Sequence, residues 1–379
     1  MEIEQLFDKK LGFGFMRLPL LSSDPADIDF NYVNGMVDEY LTNGFNYFET
    51  AYPYHNHMSE TAIRKCLVER YDRASFLLAD KMPPEIRDTE WFDIIFNRQL
   101  ERCGVNFFDF YLLHSLKEPV FHKYEKLGGF DYLYKLKDEG KAKYIGFSFH
   151  DSPQVLDEIL CAHPEMDFVQ LQINYLDMES PHIQSEACYK VARNHHKPII
   201  VMEPVKGGGL VNIADEALKL FKSLNSEASA ASFAIRYAAS LEGIMLVLSG
   251  MSNLQQVQDN VSYMKAFKPL RNEEYEVINK VSAIIKQSYN IQCTTCRYCI
   301  EECVNKIPIP DLFSIYNSIK SSGRSDIAAV MIHKNRYKTA IYGKGKAGDC
   351  IKCGKCEKAC PQYLPIQEKL EEIANIFEN

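Results

Sequence analysis

Along the first 250 residues, short apolar runs alternate with stretches whose apolar positions recur at helical spacing. The runs are LGFGFMRLP, FNYFETA, ASFLLADK, FDFYLLHS, KYIGFSFH, FVQLQINY, IIVMEPV and IMLVLSG. Most are near-continuous rather than alternating, as in parallel strands covered on both faces. Between them, helical patterns span Asp29–Thr42, Ser59–Tyr71, Thr89–Cys103, Tyr124–Glu139, Pro153–Cys161, Ser185–His195 and Leu254–Phe267. Glu49, Lys81, His114 and Ser148, each near the end of a run, are separated by 32, 33 and 34 residues, and each interval suits one strand–helix unit. Roughly eight such units in about 250 residues predict a (β/α)8 TIM barrel. A doubly wound open sheet is the runner-up, because periodicity alone does not separate the two.

Composition extends this picture past the barrel. With 379 residues, 46% hydrophobic and 25% charged, the chain is ordinary globular material and long enough for more than one domain. A net charge of −8 and no basic block exclude nucleic-acid binding through phosphate contacts. MEIEQLFDKK lacks the apolar core of a signal peptide, and no apolar run approaches the roughly 20 residues of a membrane helix. A cytoplasmic chain without a membrane partner is expected. Of the 12 cysteines, only Cys66, Cys103, Cys161 and Cys188 precede residue 290, and eight crowd into 293–360. That asymmetry suggests a second module.

Within it, CTTCRYCIEEC and CIKCGKCEKACP both read C-x2-C-x2-C-x3-C, the spacing of bacterial-type ferredoxins with two 4Fe–4S clusters. Structural zinc more often pairs two C-x2-C knuckles, and disulfides suit a cytoplasmic chain poorly. The ferredoxin pattern implies that Cys293, Cys296, Cys299 and Cys360 hold one cluster, and Cys350, Cys353, Cys356 and Cys303 the other, the fourth thiolate of each motif crossing over. Val304 follows Cys303 where Pro361 follows Cys360. The 46 intervening residues, 304–349, include the helical pattern IPDLFSIYNSIKSS, so the module resembles helical ferredoxin-like domains fused to dehydrogenases. A boundary near Lys286–Gln292 divides the chain into a barrel, 1–285, and a small, mainly helical ferredoxin-like iron–sulfur domain, 286–379. GKGKAG, Gly343–Gly348, matches the dinucleotide fingerprint in letters only, because no strand precedes it and a cysteine motif follows. It reads as a turn.

Barrel active sites are built from residues at the C-terminal strand ends. The ends here offer an acid, Glu49; a phenol, Tyr54; an ammonium, Lys81; and an imidazole, His114. A lysine beside a phenol favours the tyrosinate, and a carboxylate holds that lysine charged and oriented. The imidazole can donate a hydrogen bond to a carbonyl oxygen. Singly each residue has an ordinary reading as rim salt bridge, loop lysine or strand-end histidine; four at consecutive strand ends point to chemistry. His55 and His57 in YHNH read as loop residues beside the site rather than metal ligands.

These residues resemble the aldo-keto reductases, through GFNYFETAYPY, LADKMP, DFYLLHS and YIGFSFH, and barrel followed by iron–sulfur module resembles that family's predicted iron–sulfur branch. The resemblance implies Tyr54 as proton donor, Lys81 as its partner, His114 as carbonyl orienter and Glu49 as the acid, where the family usually has aspartate. It also implies a nicotinamide nucleotide, NAD(P)H. Ser148 and Gln170 would hold the carboxamide, although Phe149 replaces the usual asparagine. Lys206, Gly207 and Gly208 in EPVKGGGL would lie along the pyrophosphate, and Ser249, Gly250, Asp259 and Asn260 in SGMSNLQQVQDN would grip the adenosine end. Gly250, Ser252 and Gln256 stand where NADPH-preferring members carry basic residues. A 2′-phosphate there would forgo charge-assisted hydrogen bonds of about 1.5–3 kcal/mol each, so NADH or mixed use is expected.

The leading expectation is an oxidoreductase moving hydride between nicotinamide and a small carbonyl or alcohol, with electron-carrying clusters. Hydride carries two electrons and each cluster accepts one, so the clusters would serve a redox partner protein, a bound flavin or the structure alone; no flavin motif is recognisable. The alternative is a ferredoxin-type electron-transfer protein whose barrel is a docking or redox-sensing scaffold. The substrate-selecting loops carry no distinctive pattern.

Overall fold

The computed structural model describes residues 3–288, 291–321 and 327–378. Eight parallel strands close into a barrel in chain order: β1 (Leu11–Gly14), β2 (Tyr47–Glu49), β3 (Leu77–Met82), β4 (Phe108–Leu116), β5 (Ala142–Phe149), β6 (Phe168–Gln172), β7 (Ile199–Met202) and β8 (Ile244–Ser249). β8 returns to pair with β1 through Leu11 and Val247. The barrel, not the open sheet, is therefore the architecture, and every strand coincides with one of the eight apolar runs, β3, β4 and β5 extending one residue beyond theirs.

The two-residue period of a strand decides which side chains enter the barrel. Tyr47, Ala79, Phe110, Leu112, Phe168, Ile200, Leu246 and Leu248 pack together as one buried cluster. Below them the N-terminal turn Ile3–Leu6 and Phe7 form a floor, with the Phe7 ring 5.7 Å from Tyr47 and 5.8 Å from Phe110. Two residues further along β2, β3, β4 and β6 come Glu49, Lys81, His114 and Gln170. The apolar layer thus sets the register of the polar layer above it. The alternate strand residues pack outward against the helices in a second, larger core that includes Phe48, Leu78, Tyr111 and Val169.

Three helical expectations change. Tyr124–Glu139 is not one helix but the end of Glu118–Leu127 and the whole of Gly129–Asp138. Gly128 sits between them at φ 74°, where glycine carries no steric penalty, and a Cβ on Gly129 would lie 2.4 Å from the Tyr124 ring. Ser59–Tyr71 begins as an α-helix, Ser59–Ile63, and widens to a π-turn over Arg64–Val68. Helices Asp215–Leu224 and Ala230–Ser240 were without an expected counterpart; the second is alanine-rich and buried on most sides, so it lacks the polar contrast that marks an amphipathic helix.

The chain divides into two compact units, Met1–Val205 with Glu227–Tyr275, and Lys206–Ser226 with Glu276–Asn379. All eight strands belong to the first. Residues 289 and 290 of the expected linker, and Ser322 at the end of IPDLFSIYNSIKSS, lie outside the described residues.

The second unit repeats itself at the 57-residue offset between Cys293 and Cys350. Short helices Tyr298–Glu301 and Lys355–Ala359 correspond, as do the longer Ile309–Ser321 and Ile366–Phe377. Left-handed backbone recurs in register at Thr295 and Lys352, Arg297 and Gly354, and Lys306 and Tyr363. Such conformations cost a side chain about 1–3 kcal/mol each, so their repetition marks a demanded geometry, a chain wrapped tightly around each set of thiols. Ile307, Leu312, Phe313, Ile366, Leu370 and Ile373 make the shared core. Gly343–Gly348 runs from the helix Ile327–Ala340 to the 3-10 turn Ala347–Asp349, and a Cβ on Gly345 would meet the Asn305 carbonyl at 2.2 Å. It is a packing turn.

Candidate active site and thiol clusters

Glu49, Lys81, His114, Ser148 and Gln170 all lie on strand ends, and each is at most 5% exposed. The Lys81 ammonium donates to Glu49 Oε1 at 2.5 Å and to the Tyr54 hydroxyl oxygen at 2.9 Å. The other carboxylate oxygen of Glu49 accepts from Gln170 Nε2 at 2.5 Å. The extra methylene of glutamate therefore does not displace the lysine contact. It lets one carboxylate bridge Lys81 and Gln170 and commits the Gln170 NH2 group to Glu49. A buried ion pair survives only where its remaining hydrogen-bond capacity is also used, as it is here.

Tyr54 is half-buried. The loop after it runs through His55, Asn56 and His57 at φ 53°, 50° and 69°, three successive left-handed residues that turn the chain sharply. His55 Nε2 accepts from the Leu18 N–H at 3.1 Å and its Nδ1 pairs with the Pro25 carbonyl at 2.9 Å, while His57 Nδ1 pairs with the Tyr52 carbonyl at 2.8 Å. These histidines build the loop.

His114 packs edge-on to the Tyr54 ring, centroids 5.9 Å apart. Burial, then the charges of Lys81 and His150, hold its pKa well below the ordinary histidine value, so the ring is neutral at neutral pH. His150, within reach of the same charges, is lowered to about 3 by burial, Lys117 and Lys81. The β4 register shifts between Leu113 and Leu116, and Ser115 sits at φ 59° with its N–H donating to Ser148 Oγ at 2.7 Å. Ser148 and Gln170 are direct partners across β5 and β6.

At the adenosine end expected from the sequence, Asn260 Nδ2 donates to Ser249 Oγ at 2.7 Å and its carbonyl accepts from Tyr263 at 2.6 Å. Asp259 accepts from Ser229 at 2.7 Å, and burial raises its pKa. A residue not anticipated is Arg17, after β1. Its side chain packs where a Cβ on Gly250 would be, at 3.2 Å, and its guanidinium meets Glu203 at 3.2 Å. Arg17 thus places a cation beside Gly250 from another strand end; GFMRLP was its only signal. Lys206 is 5% exposed and donates to Gln362 Oε1 at 3.0 Å. Gly207 and Gly208 have φ of 62° and 95°, and a Cβ on Gly207 would lie 2.4 Å from the Thr294 carbonyl oxygen. The glycine there is required by packing within the second unit.

A second unanticipated group lies behind Lys81. Glu60 and Asp80 are both fully buried, and Asp80 Oδ1 accepts from the Lys81 N–H at 2.8 Å. Burial outweighs the Arg102 contact at 3.0 Å and pushes Glu60 up to about 7, while burial and Glu60 push Asp80 up as well. The two acids share protons as a pair.

None of the twelve cysteines is joined in a disulfide. Cys303, Cys350, Cys353 and Cys356 line one pocket together with Val304, Ile307 and Gly354. Burial and the neighbouring Cys296, Cys293, Cys360 and Cys356 raise the Cys299 thiol; burial, Glu357, Cys350 and Cys303 raise Cys356 to about 11. The pocket thus brings Cys303, the fourth cysteine of the first motif, beside the first three of the second. Backbone N–H groups of Thr295 and Ile307 point at the sulfurs of Cys293 and Cys303, each at 3.4 Å, as is common around thiolates that carry negative charge. Four convergent sulfurs with amide donors fit an iron–sulfur cubane.

Among known proteins, residues 10–283 match the model of the aldo/keto reductase family and residues 292–365 that of a 4Fe-4S dicluster domain. An aldo-keto reductase from Bacillus halodurans in its holo form is 23% identical, with 72% of this chain and 91% of that chain covered at a TM-score of 0.55. One from Klebsiella pneumoniae in complex with NADPH is 16% identical, covering 72% and 90% at a TM-score of 0.57. One from Brucella melitensis is 20% identical, covering 72% and 94% at 0.55. At these identities the likeness is one of fold. No curated protein matches the chain.

Proposed function

This chain belongs to the aldo/keto reductase family, and from that premise we propose that it is a nicotinamide-dependent oxidoreductase that interconverts a small carbonyl compound and its alcohol, with two 4Fe–4S clusters in a C-terminal module. The observation that carries the proposal is the run Gln170–Glu49–Lys81–Tyr54 of hydrogen bonds at 2.5, 2.5 and 2.9 Å. A bound nicotinamide would supply hydride to the carbonyl carbon. Tyr54 donates the proton to the carbonyl oxygen, and the Lys81 ammonium beside it stabilises the phenolate left behind. Glu49 keeps that ammonium charged and aimed. Neutral His114 donates a hydrogen bond to the carbonyl oxygen, orienting it without repelling Lys81.

For the nucleotide, Ser148 and Gln170 would hold the carboxamide, and Lys206, Gly207 and Gly208 would lie along the pyrophosphate. Ser249, Gly250, Asp259 and Asn260 take the adenosine end. A neighbour of similar fold is complexed with NADPH; for this chain NADH or mixed use is proposed, with Arg17 the cation nearest Gly250. One cluster is assigned to Cys293, Cys296, Cys299 and Cys360, and the other to Cys350, Cys353, Cys356 and Cys303, the second set supported by the pocket that its four cysteines line. The barrel domain is taken as 1–285 and the iron–sulfur domain as 286–379. A redox partner protein, or a bound flavin, would pass single electrons to or from the clusters.

Tyr54→Phe tests the assignment. Carbonyl reduction should fall by about 10²–10⁴-fold while nucleotide binding, read by fluorescence quenching, is kept. Full turnover by this variant would refute the proton-donor role.

A further inference from the structure

Among the four cysteines of the barrel, one differs from the rest. Cys66, Cys103 and Cys188 are buried, and each thiol lies against an oxygen: the Phe30 carbonyl at 3.6 Å, Asp80 at 3.7 Å and the Asp151 carbonyl at 3.6 Å. Cys161 is exposed. It sits four residues after Asp157 on the helix Pro153–Ala162, and residues four apart are neighbours on one helix face. His195 caps the C-terminal end of the next helix of the barrel, Ser185–Asn194. Its Nε2 pairs with Asp157 Oδ1 at 2.7 Å, and the side chains of His195 and Asp157 are 22% and 57% exposed. One donor atom from each of Asp157, Cys161 and His195 lies within 4.8 Å of the other two. The segments that follow the two helices are already tied, since Lys197 donates to the Pro164 and Met166 carbonyls at 2.6 and 2.7 Å. Each helix of a (β/α)8 barrel runs back along the strand before it, so both end at the face opposite Glu49, Lys81 and His114.

We infer that Asp157, Cys161 and His195 form a binding site for one zinc ion on the outside of the barrel. A thiolate and an imidazole select zinc over magnesium and calcium, which prefer oxygen ligands throughout. Zinc bonds of about 2.0–2.3 Å in tetrahedral geometry place ligand atoms roughly 3–4 Å apart, so the three donors need only small rotations of side chains that solvent already reaches. On binding, the thiol gives up its proton to water, and the imidazole offers a lone pair to the ion in place of its contact with Asp157. Thiolate and carboxylate together offset the two positive charges of the ion. A water molecule completes the four-coordinate shell. The ion pins two helix ends together on the face away from the strand-end polar layer, and it takes no part in the hydride reaction or the clusters proposed above.

The test uses the reconstituted full-length chain, cleared of loose metal on a chelating resin and given one equivalent of zinc chloride. The parent should keep one zinc through gel filtration with its iron content unchanged. X-ray absorption at the zinc edge should show a single sulfur neighbour at about 2.3 Å. Alkylation of Cys161 by iodoacetamide, followed on its peptide by mass spectrometry, should slow at least about tenfold with zinc and stay unchanged with magnesium. His195→Ala and Asp157→Asn should each restore the alkylation rate, and Cys161→Ala should release the zinc. Zinc that carries two or more sulfurs, displaces iron, or stays bound in Cys161→Ala sits on the cluster thiols and overturns the inference. So does a parent that retains no zinc, or whose Cys161 is alkylated equally fast with and without it.

Discussion

Glu49→Gln removes the carboxylate charge paired with Lys81 while keeping the side chain's length. The two groups are 1% and 6% exposed at their side chains and 2.5 Å apart, so little water is available to replace the carboxylate. Breaking a buried pair by removing one partner costs about 3–5 kcal/mol, because the other charge is left uncompensated. For a domain of this size each kcal/mol lowers the melting temperature by about 2–4 °C. The barrel of the glutamine variant should therefore melt on the order of 10 °C below the parent, followed by far-ultraviolet circular dichroism. Glu49→Asp separates charge from reach. It keeps the ion pair but is too short to bridge Lys81 and Gln170 together, so the loss should be about 1.5–3 kcal/mol, that of one hydrogen bond to a charged group. If the glutamine variant stays within about 0.5 kcal/mol of the parent, as surface substitutions do, Lys81 is not held as a desolvated charge and the bridging argument fails.

Other consequences are separately measurable. Glu60, raised in the folded state to about 7 from an ordinary 4.5, favours its protonated form on folding, so its contribution is lost as pH rises through about 7; Glu60→Gln should flatten the fall in melting temperature between pH 5.5 and 8, and an unchanged slope would count against the buried acid pair. Cys303→Ser should cost the cluster shared with Cys350, Cys353 and Cys356, and Cys360→Ser the other, although each cysteine is continuous in sequence with the opposite motif; spectra showing the loss of the sequence-adjacent cluster would refute the crossing. Gly207→Ala, which puts a Cβ at φ 62° and 2.4 Å from the Thr294 carbonyl, should cost at least about 1–3 kcal/mol and speed iron loss to a chelator; iron retention equal to the parent's would show that the loop does not bear on the cluster module.

The polar layer of the barrel was legible because strand geometry is local. Once Phe110 and Leu112 are placed inward, His114 must follow, and the same two-residue step carries Ala79 to Lys81 and Tyr47 to Glu49. The ferredoxin spacing led one to expect Cys303 beside Cys350, Cys353 and Cys356, and these four line one pocket. What escaped notice depends on contacts between distant segments. Arg17 meets Gly250 across the β1–β8 seam, and Glu60 meets Asp80 from a helix that begins as an ordinary amphipathic pattern. Lys206 and its glycines resemble a phosphate loop in sequence, yet the ammonium is spent on Gln362, 156 residues away. Gly128 had a local signal, paired glycines inside a helical pattern, which apolar periodicity on both sides masked.

The measurement closest to the central claim is the fate of the hydride. Reconstituted chain is mixed anaerobically with NADH dideuterated at C4 and a panel of short aldehydes and ketones, and products are examined by mass spectrometry alongside the visible absorbance of the clusters. The account predicts an alcohol carrying one deuterium at the former carbonyl carbon, formed by the parent and lost in Tyr54→Phe. Cluster bleaching by the nucleotide, with no label in any product, would contradict it and identify the barrel as the scaffold of an electron-transfer protein.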